Sequence, residues 1–135
     1  MSTYFNDIQA ALDTRLASIA GSPPIAWPNI EYEPTGGTTY LRPAFLPAET
    51  LQSGLGSEGL DETNGIYQID VVYKVGSGRS SLVDSVADHF KRGTVATYNG
   101  VNVRIRSVSI APAIFDIAWH FVPVSVSFQT YTEAR

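Results

Sequence analysis

Apolar and polar residues alternate most regularly between Gly65 and Gly76, and this segment predicts the central strand of the fold. Apolar side chains occupy every second position, and most of the positions between them are polar. Successive side chains of an extended chain point to opposite faces, so this pattern is typical of a strand with one face on a core. The apolar set is Tyr67, Ile69, Val71, Tyr73 and Val75, and the polar set is Gln68, Asp70 and Lys74.

Two other segments show the three-and-four spacing of amphipathic helices. The first spans about Thr3 to Ala20 and ends at Gly21, because glycine adopts the left-handed conformation of a helix stop. The second, LVDSVADHF at 82–90, directly follows the central strand. We expect both helices to pack on one face of the sheet. Their apolar positions are Phe5, Ile8, Leu12, Leu16 and Ile19 in the first helix, and Leu82, Val83, Val86 and Phe90 in the second.

Two proline-containing segments before the central strand predict edge strands. IAWPNIEYEP at 25–34 is interpreted as a broken strand with Pro28 at a bulge or an edge, because proline removes a ladder donor. Residues 35–38 predict a turn. TYLRPAFLP at 39–47 is a short strand, and its Pro43 and Pro47 again indicate an edge.

Two segments after the second helix predict further strands. TVATYNGVNVRIRSVSIA at 94–111 is typical of a hairpin with a type I′ turn at Asn99-Gly100. Its apolar parity changes near Ser107, which predicts a bulge there. DIAWHFVPVSVSFQTYTE at 116–133 changes parity at Pro123, and we expect a similar irregularity at that residue.

The stretch from Ala48 to Asn64 predicts a long mobile loop, because it is rich in glycine and acidic residues and has few large apolar ones. Two interpretations stay open. The loop is a plain flexible insertion, or it docks onto a partner through Leu51, Leu55 and Leu60.

The pattern as a whole predicts one α+β domain over residues 1–135, with a mainly antiparallel sheet and two helices packed on one face. Strand parity assigns a polar set to the opposite face, where it forms a possible ring or lumen surface. That set is Gln68, Asp70, Lys74, Arg104, Ser125, Ser127 and Gln129.

Composition narrows the possible functions. The chain has 135 residues, 44% of them hydrophobic, which suffices for one core, and it has no cysteine for a disulfide or zinc-thiolate site. A net charge of −4 argues against general nucleic-acid binding, and we expect no sequence-specific binding either. The start lacks the features of a signal peptide and no stretch reaches the length of a membrane span, so we expect an unexported protein without a membrane partner.

Two motifs resemble ligand sites, and each has a simpler explanation. GSGRSS at 76–81 resembles a phosphate loop, but it lacks the GK[ST] ending and is better explained as a turn with a helix cap. Asp84, Asp88 and His89 lie within two turns of the second helix, yet no third carboxylate is placed near them for a metal. We therefore expect no cofactor and no metal.

Two other constellations involve strands. Asp116 and His120 fall on one side of a strand, but no nucleophile motif such as GxSxG accompanies them. Arg42, Arg104 and Arg106 are scattered cations that most often lie solvated on a surface. The sequence therefore predicts no catalytic residues, and we expect an interaction component rather than an enzyme.

Five segments in order resemble the phage tail-terminator-like family, relatives of the lambdoid tail terminator. They are IAWPNIEYEP, TYLRPAFLP, GIYQIDVVYKVGSG, the helix end ADHFKRGT, and WHFVPVSVSFQTY, and together they cover almost the whole chain. The resemblance implies a virion tail protein, assembled in the host cytoplasm, whose copies form a ring, typically a hexamer. Such a ring caps the completed tail tube, stops its polymerisation and offers a surface to the head.

The implied partners are further copies of the chain, the tail tube protein and the head-tail joining protein. The alternative is another ring-forming head-tail joining or tail tube component.

Overall fold

The structure is a computed structural model that describes residues 4–21, 23–28, 30–33, 39–52, 60–74, 81–115 and 118–133. Two helices and six strands occur in these ranges. The helices are α1 (Tyr4–Ala17) and α2 (Leu82–His89), and the strands are β1 (Tyr40–Gln52), β2 (Leu60–Lys74), β3 (Val95–Tyr98), β4 (Val101–Ile110), β5 (Ile114–Phe115) and β6 (Trp119–Glu133).

All six strands belong to one antiparallel sheet with the order β1-β2-β6-β4-β3, and β5 pairs with β6 beside this path. The expected α+β class with a mainly antiparallel sheet is therefore confirmed. The strand at the centre of the sheet is β6, which pairs with three other strands, and the Gly65–Gly76 segment supplies its neighbour β2.

The β3–β4 hairpin forms as its turn sequence predicts. Asn99 and Gly100 have φ values of 49° and 80°, the positive values that both central residues of a type I′ turn require. The register of β4 against β6 shifts between Ile105 and Ser107, which confirms the predicted bulge. Because of this shift, Val108 faces the same side as Ile105 and packs against the core.

The core contains residues of both helices and of the sheet. Ile8, Leu12, Leu16 and Ile19 are buried, whereas the prediction for Phe5 is wrong. Phe5 is 52% exposed, and its ring only meets the edge of Phe45 at 5.2 Å between centroids. The buried cluster also includes Leu41, Tyr67, Ile69, Val71, Val86, Phe90, Val103, Ile105, Val124, Val126 and Phe128.

Reciprocal hydrogen bonds join the ends of the two helices. The Arg15 guanidinium donates to the His89 carbonyl through Nε at 3.1 Å and Nη2 at 2.8 Å. The His89 ring places Nε2 2.6 Å from the Arg15 carbonyl. Carbonyls in the last turn of a helix lack helical partners, and these bonds provide partners for both carbonyls. The Arg15 carbonyl also accepts from the Ser18 N–H and hydroxyl.

The prediction of a strand over 25–34 is wrong for its described residues. This segment contributes a single parallel bridge, from Ile25 to Leu41. Its only ladder-like bonds join Leu41 to Pro24 and Ala26, at 2.9 and 2.7 Å. Pro24 and Pro28 cannot donate backbone hydrogen bonds, which explains why the pairing does not continue. The predicted turn at 35–38 lies outside the described residues.

The prediction of a loop from Ala48 to Asn64 is wrong at both ends, because β1 extends to Gln52 and β2 begins at Leu60. These ends pair with each other from Glu49–Asn64 to Gln52–Asp61, after a shift near Ala48. The first residues of β2 also pair with β6, as far as the Leu60–Glu133 pair. Backbone pairing on both sides of β2 holds this polar segment extended despite its weak strand propensity. Residues 53–59 lie outside the described ranges.

The irregularity expected at Pro123 is absent from the β2–β6 ladder, whose register runs continuously through Asp70–Pro123. The Pro123 carbonyl accepts a bond from the Ala111 N–H on the β4 side of β6. The nitrogen of an extended residue faces the same side as its carbonyl. The nitrogen of Pro123 therefore faces the gap between β4 and β5, so its lack of an N–H costs the sheet no hydrogen bond.

Neither helix of the described residues has the length and apolar character needed to cross a membrane.

Candidate functional site

The seven polar residues assigned to one face by sequence do share a face in the sheet registers. Gln68 lies opposite Ser125, Arg104 lies opposite Gln129, and Ser127 pairs with Ser107. Residues on the other parity of the same strands, such as Ile69 and Val126, belong to the core. We call this side of the sheet the open face and define it by Gln68, Asp70, Lys74, Arg104, Ser125, Ser127 and Gln129.

One end of the open face carries an ion pair beneath aromatic rings. Asp70 Oδ2 accepts from Arg42 Nη2 at 3.1 Å, and Asp70 Oδ1 accepts from Gln68 Nε2 at 3.0 Å. The Arg42 guanidinium lies 5.0 Å from the centre of the Phe121 ring. Asp70 is only 9% exposed, and its charge is balanced by Arg42. The expectation that Arg42 is a scattered cation is therefore wrong.

A surface cleft of about 540 Å³ adjoins this ion pair. Residues from the segment before β1 form one wall, and residues of β1 and β2 form the other. The Tyr32 ring lies 4.8 Å from the Tyr40 ring, which in turn meets Trp119 at 5.8 Å. The lining offers aromatic surface and one balanced charge pair. It comprises Ala26, Trp27, Pro28, Ile30, Tyr32, Tyr40, Arg42, Pro43, Ala44 and Asp70.

The other end of the open face is polar and more exposed. Gln129 donates from Nε2 to Glu62 and to the Tyr131 hydroxyl. Arg104 is exposed and forms no ion pair with the described residues. This end can therefore present an unbalanced positive charge beside hydrogen-bonding groups.

Exposed apolar side chains also lie on this face, and the sequence analysis missed them. Leu46 and Ile66 are cross-strand partners of β1 and β2, and they are 49% and 39% exposed. Both residues are apolar at positions where the alternation predicts a polar side chain, and this departure was the signal that the sequence contained. An exposed apolar pair beside polar groups is a common element of protein–protein contacts.

The three leucines of the predicted docking segment have different positions. Leu51 lies near the end of β1, opposite Glu62, and Leu60 is the first residue of β2. The Leu60 side chain is 48% exposed, so it is available to a partner. Leu55 lies outside the described residues.

Within the residues that the structure describes, the sequence motifs that resembled ligand sites form no assembled site. Asp84 and Asp88 are exposed on α2, and His89 is occupied by its bond to α1. Across the described ranges, no three His, Cys, Asp or Glu side chains group closely enough to hold a metal ion. His120 meets the rings of Tyr73 and Phe115, while Asp116 and residues 76–80 lie outside the described ranges.

One partly buried polar contact has perturbed acidity. The Tyr67 hydroxyl donates to Asp13 Oδ1 at 2.5 Å. Burial raises the pKa of Asp13, and the hydrogen bond from Tyr67 opposes this increase. Burial and the neighbouring Asp13 carboxylate raise the pKa of Tyr67 as well. This pair fastens α1 to β2, and Asp13 also lines a surface cleft of about 460 Å³ together with Trp27 and Pro28.

The β1 edge of the sheet is obstructed by prolines. The Leu41 N–H donates to the Pro24 carbonyl and the Leu41 carbonyl accepts from the Ala26 N–H, so both groups point away from β2. Alternate residues of an antiparallel strand repeat this direction, so Pro43 also faces outward, and so does Pro47 at the register shift. Proline has no N–H to donate, and the outward edge therefore cannot extend the sheet as a continuous ladder.

This chain is similar to known proteins in sequence and in fold. A family model described as "Phage tail terminator protein" matches residues 7–128. A solved structure is similar to this chain with a TM-score of 0.75 and 26% sequence identity, over 96% of each chain. No match was found among curated proteins.

Proposed function

Because this chain belongs to the phage tail terminator family and is thus a structural component of a phage tail, we propose that its copies form a ring that caps the completed tail tube. The ring stops tube polymerisation and provides the surface to which the head is joined. The family match over residues 7–128 is the observation that carries this proposal.

The proposed ring consists of six copies and assembles in the cytoplasm of the bacterial host. Its partners are the tail tube protein on one side and the head-tail joining protein on the other. Both helices cover one face of the sheet in this proposal, so the open face remains available to the ring or its lumen.

The obstructed β1 edge supports a role in stopping growth. A subunit that joins a growing tube by strand pairing leaves one strand edge free, and the next subunit can pair with that edge. Pro43 and Pro47 remove donors from that edge. A protein that ends a polymer benefits from such an edge, because backbone pairing cannot continue beyond it.

We assign contact with the tube to the end of the β1–β2 hairpin. Leu60 is exposed there, and apolar burial on a partner would favour docking. We include Leu51 and Leu55 in the proposed tube contact because they lie close to Leu60 in the sequence.

A tube-growth assay tests this function. Purified tail tube protein polymerises on an initiating complex, and light scattering follows its length. This protein, added in excess over tube ends but far below the concentration of tube protein, should stop growth at once. Continued growth with incorporation of the protein along the tube would favour the alternative, a tube component. Continued growth without binding would exclude both roles.

A further inference from the structure

Charged residues are strongly separated along the chain. Residues 31–73 contain seven acidic residues and one basic residue, Arg42, which is paired with Asp70. Residues 89–115 contain four basic residues and no acidic one. The first range supplies β1 and all of β2 except its last residue, Lys74, and the second supplies β3 and β4. Because β1 and β2 lie on one side of β6 and β4 and β3 lie on the other, the two halves of one sheet differ in charge.

The acidic edge is defined by Glu31 and Glu33. Both are exposed and flank Tyr32, whose ring packs on Tyr40 at the start of β1. Asp61 and Glu62 lie at the other end of the β1–β2 ladder, opposite Gln52 and Leu51, and Glu62 accepts a hydrogen bond from Gln129, so neither belongs to this edge. Glu31 and Glu33 form no ion pair within the described part of the chain.

The basic edge is defined by Lys91, Arg92, Arg104 and Arg106, all exposed. The Gly93 N–H donates to the Ile105 carbonyl at 2.9 Å, which brings the 91–92 segment beside Arg106. Arg106 is the extra residue at the β4 bulge. No member of this edge forms an ion pair with a described residue.

We propose that the acidic edge of one copy contacts the basic edge of the next copy. This inference rests on the proposed ring and specifies its subunit contact. The two surfaces differ, so the contact is head-to-tail, the arrangement that closes into a ring. Opposite potentials favour this register, whereas two acidic or two basic edges repel each other. Pro43 and Pro47 obstruct backbone pairing at β1, so side chains make the contact.

Two charge-reversed variants test this arrangement by mixing. The basic-edge variant carries Lys91→Glu, Arg92→Glu, Arg104→Glu and Arg106→Glu, and the acidic-edge variant is Glu31→Lys with Glu33→Lys. Each variant alone has two edges of like charge and should fail to form rings. An equimolar mixture restores opposite charges at every contact, so alternating rings should reappear. Light scattering after size-exclusion chromatography gives the mass, and native mass spectrometry gives the ratio of the two variants.

Two controls separate the contact from general effects. Asp84→Lys with Asp88→Lys makes the same charge change as the acidic-edge variant, but on exposed α2 positions, and should leave the rings intact. All variants should melt within about 2 °C of the wild type, because they change exposed or half-exposed side chains. Raising the salt concentration should weaken the wild-type rings, since exposed charges are screened.

The outcomes distinguish the edge contact from the ring itself. Alternating rings of the two variants, each monomeric alone, would support the head-to-tail edges. Rings formed by either variant alone, or no recovery on mixing, would overturn the edge contact and leave the ring in place. A wild-type protein that stays monomeric both in solution and at tube ends would overturn the ring and the contact together.

Discussion

Replacing Gly65 by Ala should destabilise the protein, because the added methyl group would collide with the ring of Phe128. These two residues are direct cross-strand partners of β2 and β6. A Cβ at position 65 would lie 2.7 Å from Phe128 Cζ and 2.8 Å from the Leu46 carbonyl oxygen. Phe128 is 1% exposed and stacks on Phe45 at 5.6 Å, so its ring cannot move without disturbing the core.

The net effect follows from two opposing terms. Overpacking of a buried site costs about 1–3 kcal/mol. Replacing a strand glycine by alanine returns about 0.5–1 kcal/mol through lower entropy of the unfolded chain. Because one of the two clashes is with a backbone oxygen that cannot rotate away, the overpacking cost falls in the upper half of this range, and we expect Gly65→Ala to lower the free energy of unfolding by about 1–2.5 kcal/mol.

Urea unfolding followed by circular dichroism measures this change. Ile66→Ala is the matched control, because Ile66 adjoins Gly65 but is 39% exposed on the open face, and it should cost less than about 1 kcal/mol. Combining Gly65→Ala with Phe128→Leu should cost less than the sum of the single changes, since the shorter side chain relieves the contact. A Gly65→Ala protein as stable as the wild type would refute the close packing.

Three further predictions concern single side chains. Arg15→Met retains the apolar stem but loses both bonds to the His89 carbonyl, so urea unfolding should show a loss of about 1–2 kcal/mol; no loss would mean that these bonds do not stabilise the helix pair. Folding raises the pKa of Asp13 above its unfolded value of 3.8, so the protonated carboxyl favours the folded state. This contribution to stability is complete below pH 3.8 and is lost as the pH rises through the folded pKa. Asp13→Asn should therefore gain stability relative to the wild type between about pH 4 and pH 7, and a difference that does not vary with pH would contradict the burial of this carboxyl. Leu60→Ser should leave the melting temperature unchanged within about 2 °C but weaken capping in the tube-growth assay, whereas normal capping would assign the tube contact elsewhere.

Local patterns were sufficient for the elements whose signals lie in neighbouring residues. The spacing of Ile8, Leu12 and Leu16 predicted α1, and Asn99-Gly100 predicted the hairpin turn. Helix periodicity and turn chemistry depend on residues a few positions apart, so one sequence contains the necessary information.

Pairing between distant segments could not be predicted in the same way. The polar residues on either side of the β1–β2 connection have weak strand propensity, and they are extended because β6 pairs with β2 down to Leu60. Conversely, the apolar residues near Trp27 suggested a strand, but the sheet offers this segment a single bridge at Ile25.

The candidate surface was only partly predictable for the same reason. Strand parity placed Gln68 and Ser125 on one face. Strand parity does not reveal the ion pair of Asp70 with Arg42 or the aromatic cleft beside it, because these residues come from segments that are distant in the sequence. It also treats Leu46 and Ile66 as exceptions rather than as an exposed pair.

Negative-stain electron microscopy of the purified protein, alone and mixed with tail tubes, tests the proposed capping ring most directly. We expect closed rings of uniform diameter in the protein alone, and one ring at an end of each tube in the mixture. Filaments of the protein alone, or tubes whose ends stay bare at saturating protein, would contradict it.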